Sequence, residues 1–211
     1  GGRLTIKVYS DGELVPALEC LGAVANGTAQ MGHDAAYYHA GKSEGCAFLT
    51  AFPFGFTMGE MAAWIKHGNG QKLWDELYAP FGIRGFQAGS TGTQMFGWFR
   101  REIRSLADLD GLKFRTPGNQ GRVLQKLGVT PVSLPGGEIF PALQSGAIDG
   151  AEWVGPYNDL ALGFYQVCRY YYSPGYHEPG PALQLTVNEQ AWRSLPSDLQ
   201  AIVRAAADAA T

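Results

Sequence analysis

Along the whole chain, short apolar runs with the two-residue period of a strand alternate with segments whose apolar residues recur at helical spacing. Gly or Pro punctuates nearly every junction. That order restricts the fold to α/β architectures, in which helices cover a sheet of short strands. Leu4, Ile6 and Val8 alternate with Thr5, Lys7 and Tyr9, which predicts a strand ending at the Ser10-Asp11-Gly12 turn. A helix over residues 13–25 follows, stopped by Asn26-Gly27, and then a short apolar stretch at 29–31. This β-turn-α-β order predicts a parallel sheet.

Further along, two helices are expected over residues 57–78, separated at Gly68-Asn69-Gly70, and a long extended segment over 83–99. Ser105 reads as the N-cap of a short helix over 106–109, because its hydroxyl can accept a free backbone N–H. Strand 112–116 is broken by Pro117-Gly118, and helix 120–127 leads to a strand at 129–132. A helix over 138–145 ends at Gly146, and an apolar extended run at 147–154 carries Asp149 and Glu152. Helix 160–167, strands 169–172 and 183–187, and a helical tail from 197 complete the pattern. No internal repeat or low-complexity tract interrupts it.

With 211 residues, one domain or two small lobes are allowed. A net charge of -3 without clustered Lys and Arg excludes a nucleic-acid-binding role. The charge leaves room for an anionic ligand, since one buried Arg suffices to hold a carboxylate. Cys20, Cys46 and Cys168 form no CxxC and no Cys/His metal spacing, and read as small buried hydrophobes. A Cys20–Cys46 disulfide is compatible with the sequence but not derivable from it. No apolar run approaches the ~20 residues of a membrane span. Both ends read as cut: residues 1–3 run straight into a strand pattern, and the last residues lie within an Ala-rich helix.

Enzyme signatures are missing. There is no G-x-S-x-G, P-loop, H-E-x-x-H or G-x-G-x-x-G, and His33, His39, His67 and His177 sit in no recognisable catalytic pattern. Surface or core roles are expected for all four.

A few positions do carry chemistry. Arg115 ends a strand, where open α/β sheets bind ligands, and its guanidinium can offer two parallel N–H donors to a carboxylate. The alternative is a surface ion pair with Asp108 or Asp110. Glu152, followed by Trp153, lies in an apolar strand, where a carboxylate must be paired, protonated or metal-bound. The alternative is a strand-end Glu facing water. Gln94 is a lone amide among Gly and aromatic residues, and with Glu152 it supplies the hard oxygen ligands that Ca²⁺ or Na⁺ takes. The helix opened by Gly136-Gly137 carries Glu138 in its first turn, which reads as a capping acid. Residues 176–181 form a polar loop held rigid by its Pro and Gly content.

At this point the sequence resembles a known family. Residues 105–115, SLADLDGLKFR, resemble the S-L-x-D-L-x-G-L-K-x-R segment of solute-binding proteins of tripartite ATP-independent periplasmic (TRAP) transporters. Residues 143–152, LQSGAIDGAE, resemble their A-L-Q-x-G-x-I-D-G segment, and GGEIF at 136–140 with EWVGPY at 152–157 resembles the subgroup that binds 2-oxoacids or lactate with a cation. The resemblance spans nearly the whole chain.

It implies a type II-like periplasmic binding protein: two α/β lobes, joined by crossing strands, with the ligand cleft between them. Lobe I would take residues 1–92, without its first strand, lobe II residues 93–181, and residues 182–211 would return to lobe I. The resemblance further implies that Arg115 grips the ligand carboxylate. Gln94, Glu152, the backbone at Trp153 and Glu178 would surround Ca²⁺ or Na⁺, and Gln94, Trp153 and Tyr38 would contact the ligand. The implied partners are a small monocarboxylate, pyruvate- or lactate-like, and the TRAP membrane permease, with a homodimer in the full-length protein. The rival readings are a carbohydrate-active hydrolase using Glu152 and Glu178 as its acid pair, and a sensor domain of the same fold.

Overall fold

The computed structural model describes residues 2–211. In chain order its elements are α1 (Cys20–Ala25), β1 (Met31–Asp34), α2 (Cys46–Thr50), α3 (Met58–His67), α4 (Gly70–Tyr78), β2 (Ile83–Ser90), β3 (Gly97–Phe99), β4 (Lys113–Arg115), α5 (Gly118–Gln125), β5 (Thr130–Val132), α6 (Gly136–Ser145), β6 (Gly150–Ala151), α7 (Pro156–Ala161), β7 (Tyr170–Tyr172), β8 (Ala182–Asn188), α8 (Glu189–Ser194) and α9 (Ser197–Ala209). Two units partition them. One takes the residues up to Leu49, Ala62–Ser90 and Ala182–Thr211, and the other takes Thr50–Met61 and Thr91–Pro181. The sequence reading grouped residues 50–61 with the first of these. No helix among the described residues is long and apolar enough to cross a membrane.

The first unit is built on a three-stranded sheet in the order β1-β8-β2, antiparallel throughout. The expected parallel sheet is therefore absent from this unit. β1 and β2 do not pair with each other, because β8, from the far end of the chain, inserts between them. Leu4 to Tyr9 form no strand, and Ile6 and Val8 are exposed. Alternation records only which residues could share a face. A strand also needs a neighbouring edge to take its N–H and C=O groups, and these residues have none. The helix expected over 13–25 begins only after Pro16, as a 3-10 turn at Ala17–Glu19 that runs into α1.

α9 lies over β2 and buries Leu199, Val203 and Ala207, spaced four apart on one face. Val203 and Ala207 of this face pack with Phe86, Val187 and Trp192 in one apolar cluster of the unit. A buried polar chain crosses the same sheet. Tyr78 Oη–H donates to Gln184 Oε1 at 2.7 Å, Gln184 Nε2 donates to Asp34 Oδ1 at 2.6 Å, and Asp34 Oδ2 lies 2.6 Å from His39 Nε2. Burial, then the charge of Asp34, pushes the Cys20 thiol up to about 12. Cys20, Cys46 and Cys168 are all free thiols, so the disulfide compatible with the sequence does not form.

The second unit holds a five-stranded sheet, β5-β4-β6-β3-β7. Here β5, β4 and β6 run parallel, while β3 pairs antiparallel with β6 and β7. In the parallel half, β4, α5 and β5 form a βαβ arrangement over the segments that the sequence marks as strand 112–116, helix 120–127 and strand 129–132. The long extended segment expected over 83–99 is two strands, because Gly92, at φ 69°, turns the chain out of extended geometry between β2 and β3. Of the apolar run 147–154 only Gly150–Ala151 is laddered. Helix 160–167 is α7, shifted toward its N-terminus, and a 3-10 turn, with Gly163 in the left-handed region between them. Ser105 does cap a one-turn 3-10 helix, in a capping box with Asp108.

Two apolar clusters hold this unit. Phe99, Leu112, Phe114 and Leu124 make one, and Ile139, Leu143, Ile148 and Phe164 make the other. Phe99 and Phe114 stack with centroids 4.9 Å apart and both are 1% exposed. Phe114→Ala is expected to cost about 3–5 kcal/mol of stability, the transfer loss of the ring plus an unfilled cavity. Chemical denaturation checks this, and a cost under about 1 kcal/mol would mean that this stack does not hold the unit together.

Candidate ligand and cation site

Register in the second unit carries the site. β4 and β6 run parallel with Arg115 opposite Ala151, and the ladder extends one step further, where Glu152 N–H donates to Arg115 O at 3.2 Å. Arg115 closes one strand and Glu152 follows the other at the same edge. The carboxyl ends of parallel strands are where open α/β sheets bind ligands. This register sets two opposite charges side by side, although they stand 37 residues apart in the chain.

Arg115 Nη1 donates to Glu152 Oε1 at 2.7 Å and to Glu152 O at 3.1 Å, and Nε donates to Leu134 O at 3.0 Å. The two side chains are 1% and 0% exposed. Neither water-facing alternative therefore holds: Arg115 makes no surface pair with Asp108 or Asp110, and Glu152 does not face solvent. The Trp153 ring lies against the guanidinium, its centroid 5.1 Å from Cζ. Gly136, at the start of α6, packs on that same ring, where a Cβ would come within 2.6 Å of Cη2.

The opposite wall is the polar loop near residues 175–181. Gln94 N–H donates to Glu178 O at 3.0 Å, and Thr93 Oγ1 donates to Pro179 O at 2.8 Å. From residues 50–61, Phe54 N–H donates to Tyr176 O at 2.8 Å. These approaches depend on two glycines. A Cβ on Gly175 would lie 2.4 Å from Gln94 O, and one on Gly180 would lie 2.0 Å from Met58 N.

Together these walls bring Glu152, His177 and Glu178 into one buried cluster, with one ligand-capable atom from each lying within 4.8 Å of the others. Several of its polar atoms have no hydrogen-bond partner: Glu152 Oε2, Glu178 Oε2 and both ring nitrogens of His177; Oε1 of the buried Gln94, whose N–H is bonded to Glu178 O, has none either. Burial, and then the neighbouring Glu152 carboxylate, raise the Glu178 carboxyl well above its ordinary range, with Arg115 pulling weakly the other way. The same unit shows how it treats a carboxylate with a purely structural task. Asp159, also buried, accepts from Trp98 Nε1 and Tyr171 Oη at 2.9 Å each, and from the Val154 and Gly155 N–H groups at 3.1 Å each. Against that standard, the unsatisfied atoms of the cluster fit a cation: two carboxylates are hard donors, and an ion would satisfy them together.

Of the residues singled out in the sequence, Gln94, Arg115, Glu152, Trp153 and Glu178 all fall in the second unit. Tyr38 belongs to the first unit, where its ring meets Tyr37 edge-on at 4.8 Å. Sequence reasoning missed His177, which was given a default core or surface role, although the rigidity of its loop was a usable signal. It also missed Asp159, and the buried, unpartnered Thr116 Oγ1 and Gln120 amide that follow Arg115. Nothing in local spacing marks these three.

The two glutamates differ in a measurable way. Glu152→Gln leaves Arg115 buried without its counter-charge and is expected to destabilise by about 3–5 kcal/mol. For Glu178 the sign is opposite. Its folded-state pKa is raised, so its ionisation opposes folding from about pH 4.5, its ordinary value, upward. In chelated protein Glu178→Gln should therefore be more stable than wild type at pH about 8 and no more stable at pH about 4. Denaturation midpoints of both proteins at the two pH values check this, and a mutant less stable at the higher pH would contradict it.

The chain matches the bacterial extracellular solute-binding protein family 7 (DctP) over residues 1–211. It is 49% identical over 205 residues to a monocarboxylate 2-oxoacid-binding periplasmic protein of Nostoc sp., covering 97% of this chain and 56% of that protein. A TRAP transporter solute-binding protein of Bordetella bronchiseptica, a dimer with calcium and picolinate in one active site, superposes with a TM-score of 0.97 at 43% identity, covering 100% of this chain and 62% of that one. A TRAP periplasmic solute-binding protein of Pseudoalteromonas atlantica, with bound sodium and pyruvate, gives a TM-score of 0.90 at 47% identity, covering 92% of this chain and 59% of that one. This chain thus spans less than two thirds of the length of these relatives. Together with the mixed α/β fold of its two units, the match over its full length shows that the chain belongs to the bacterial extracellular solute-binding protein family 7.

Proposed function

We propose that this chain is the ligand-holding part of a periplasmic TRAP solute-binding protein that captures a small 2-oxo or 2-hydroxy monocarboxylate through a bridging cation and delivers it to a membrane permease. The observation that carries the reading is the buried Arg115–Glu152 pair, with Glu152 Oε2 and Glu178 Oε2 left unsatisfied in the same cluster. The cation is held by Glu152, Glu178, Gln94 and the backbone at Trp153. Arg115 supplies positive charge to the ligand carboxylate, and Trp153 walls the ligand. A 2-oxo or 2-hydroxy acid suits such a site because it offers the ion two oxygens, one from its carboxylate and one from C2. The 2-oxoacid-binding and pyruvate-bound relatives support the same class of ligand. Homodimerisation of the full-length protein belongs to the same reading.

The glycosidase reading has no support. The family consists of solute-binding proteins, and Glu152 is locked to Arg115, which leaves it poorly suited to giving or taking a proton.

Calorimetric titration of exhaustively chelated protein in Na⁺-free buffer tests the reading. Pyruvate or lactate should bind tightly only after Ca²⁺ or Na⁺ is restored, and propionate, which lacks the C2 oxygen, should bind poorly under all conditions. Full affinity without a cation, or equal affinity for propionate, overturns the bridge. Arg115→Lys should weaken pyruvate binding by roughly 10- to 100-fold, the worth of a charge-assisted hydrogen bond. Unchanged affinity in that variant removes Arg115 from the ligand site.

A further inference from the structure

Thr116 and Gln120 have no task in the cation bridge, yet both are buried at the strand edge that carries it. They are 4% and 2% exposed, and Thr116 Oγ1 and both polar atoms of the Gln120 amide lack a hydrogen-bond partner. Such atoms are costly to bury unpaired. Their place follows from register. Thr116 N–H donates to Val132 O at 3.1 Å, so the ladder between β4 and β5 continues one step past Arg115. Side chains alternate along a strand, so Thr116 shares the face of Phe114 while Arg115 points to the other. On the Phe114 face lies α5, whose Leu124 belongs to the same apolar cluster as Phe114. Gln120 stands one helical turn before Leu124 on the buried side of α5. β4 runs toward the ligand edge and α5 runs away from it. One step toward that edge from Phe114 is therefore Thr116, and one step from Leu124 is Gln120. Phe96 links this spot to the buried cluster: its ring centroid lies 6.0 Å from that of Phe114 and 6.0 Å from that of Tyr176, the residue before His177 and Glu178.

We infer that Thr116 and Gln120 form a subsite for a hydroxyl group beyond C2 of the ligand, which makes hydroxylated 2-oxo and 2-hydroxy monocarboxylates the preferred class over their plain alkyl counterparts. This rests on the proposed capture of the carboxylate at Arg115 and extends it to the far end of the ligand. The chemistry of the two side chains selects the group. Gln120 leaves both a donor, Nε2, and an acceptor, Oε1, unpaired, and a hydroxyl is at once acceptor and donor. A carbonyl or carboxylate oxygen only accepts and offers nothing to Gln120 Oε1, and a methyl group satisfies neither atom. A second carboxylate would also bury a charge against two uncharged side chains.

Calorimetric titration of Ca²⁺-loaded protein tests this with acids that differ by one hydroxyl. Glycerate is compared with lactate, and 2,4-dihydroxybutyrate with 2-hydroxybutyrate, each pair matched in configuration at C2. In at least one pair the hydroxylated acid should bind about tenfold more tightly, the worth of one or two hydrogen bonds to otherwise unpaired groups. That preference should fall to near unity in Thr116→Val and in Gln120→Met, which keep the size of the side chain and remove its polar atoms. Equal affinity within both pairs, or a preference that persists in both variants, overturns the subsite and leaves the carboxylate capture standing. The wild-type comparison alone decides if a variant does not fold. A hydroxyl preference that survives exhaustive chelation upholds the subsite and overturns the cation bridge. If none of the four acids binds with Ca²⁺ present, both fall.

Discussion

A buried ion pair at the end of two parallel strands is the constraint around which the second unit is organised. Taking Arg115 and Glu152 out of water costs several kcal/mol per ion, and their mutual attraction returns it only with good geometry and additional hydrogen bonds. The unit meets that condition on one side alone. Arg115 is bonded to Glu152 and to Leu134 O and stacked on Trp153, whereas Glu152 turns its second oxygen toward Glu178 and His177 without a partner. A half-satisfied buried network is worse for stability than an apolar core of the same shape. Such an arrangement makes physical sense where something outside the chain completes it.

Holding that arrangement takes unusual backbone. Phe54 sits at φ 58°, in the left-handed region that a bulky side chain avoids, with its ring exposed and stacked on Tyr176 at 5.1 Å. The hydrogen bond from Phe54 N–H to Tyr176 O ties this strained residue to the loop bearing His177 and Glu178. The loop is held again from the other side by Thr93 and Gln94, at contacts that only glycine at 175 and 180 allows. Local strain is thus located where it fixes the position of the loop that carries the buried His177 and Glu178. Asp159, the fully bonded carboxylate of the same unit, involves only ordinary turn and ring donors.

Much of this was readable in the sequence. Helical spacing located α3, α4, α5, α6 and α9, and Gly68-Asn69-Gly70, Gly146 and Ser105 marked boundaries that the structure keeps. These are local properties, set by the i, i+4 geometry of a helix, by left-handed glycine and by an N-cap hydroxyl. Arg115 at a strand end and Glu152 in an apolar run could be singled out for the same reason, since a charge in such a place needs an explanation whatever the fold.

Partnership was decided by tertiary structure alone. Alternation in residues 4–9 could not reveal that no strand edge would meet them, and β1 and β2 could not announce that β8 would separate them. The pairing of Arg115 with Glu152 follows from one register between β4 and β6, and a shift of a single residue would have turned the two side chains to opposite faces. The lack of a hydrogen-bond partner for the ring nitrogens of His177 is of the same kind. The sequence by itself determined which residues are charged, apolar or conformationally special, because those are properties of single residues and short windows. Which buried group meets which, and which is left without a partner, arises from contacts across tens of residues, and only the folded chain brings those atoms to within hydrogen-bonding distance.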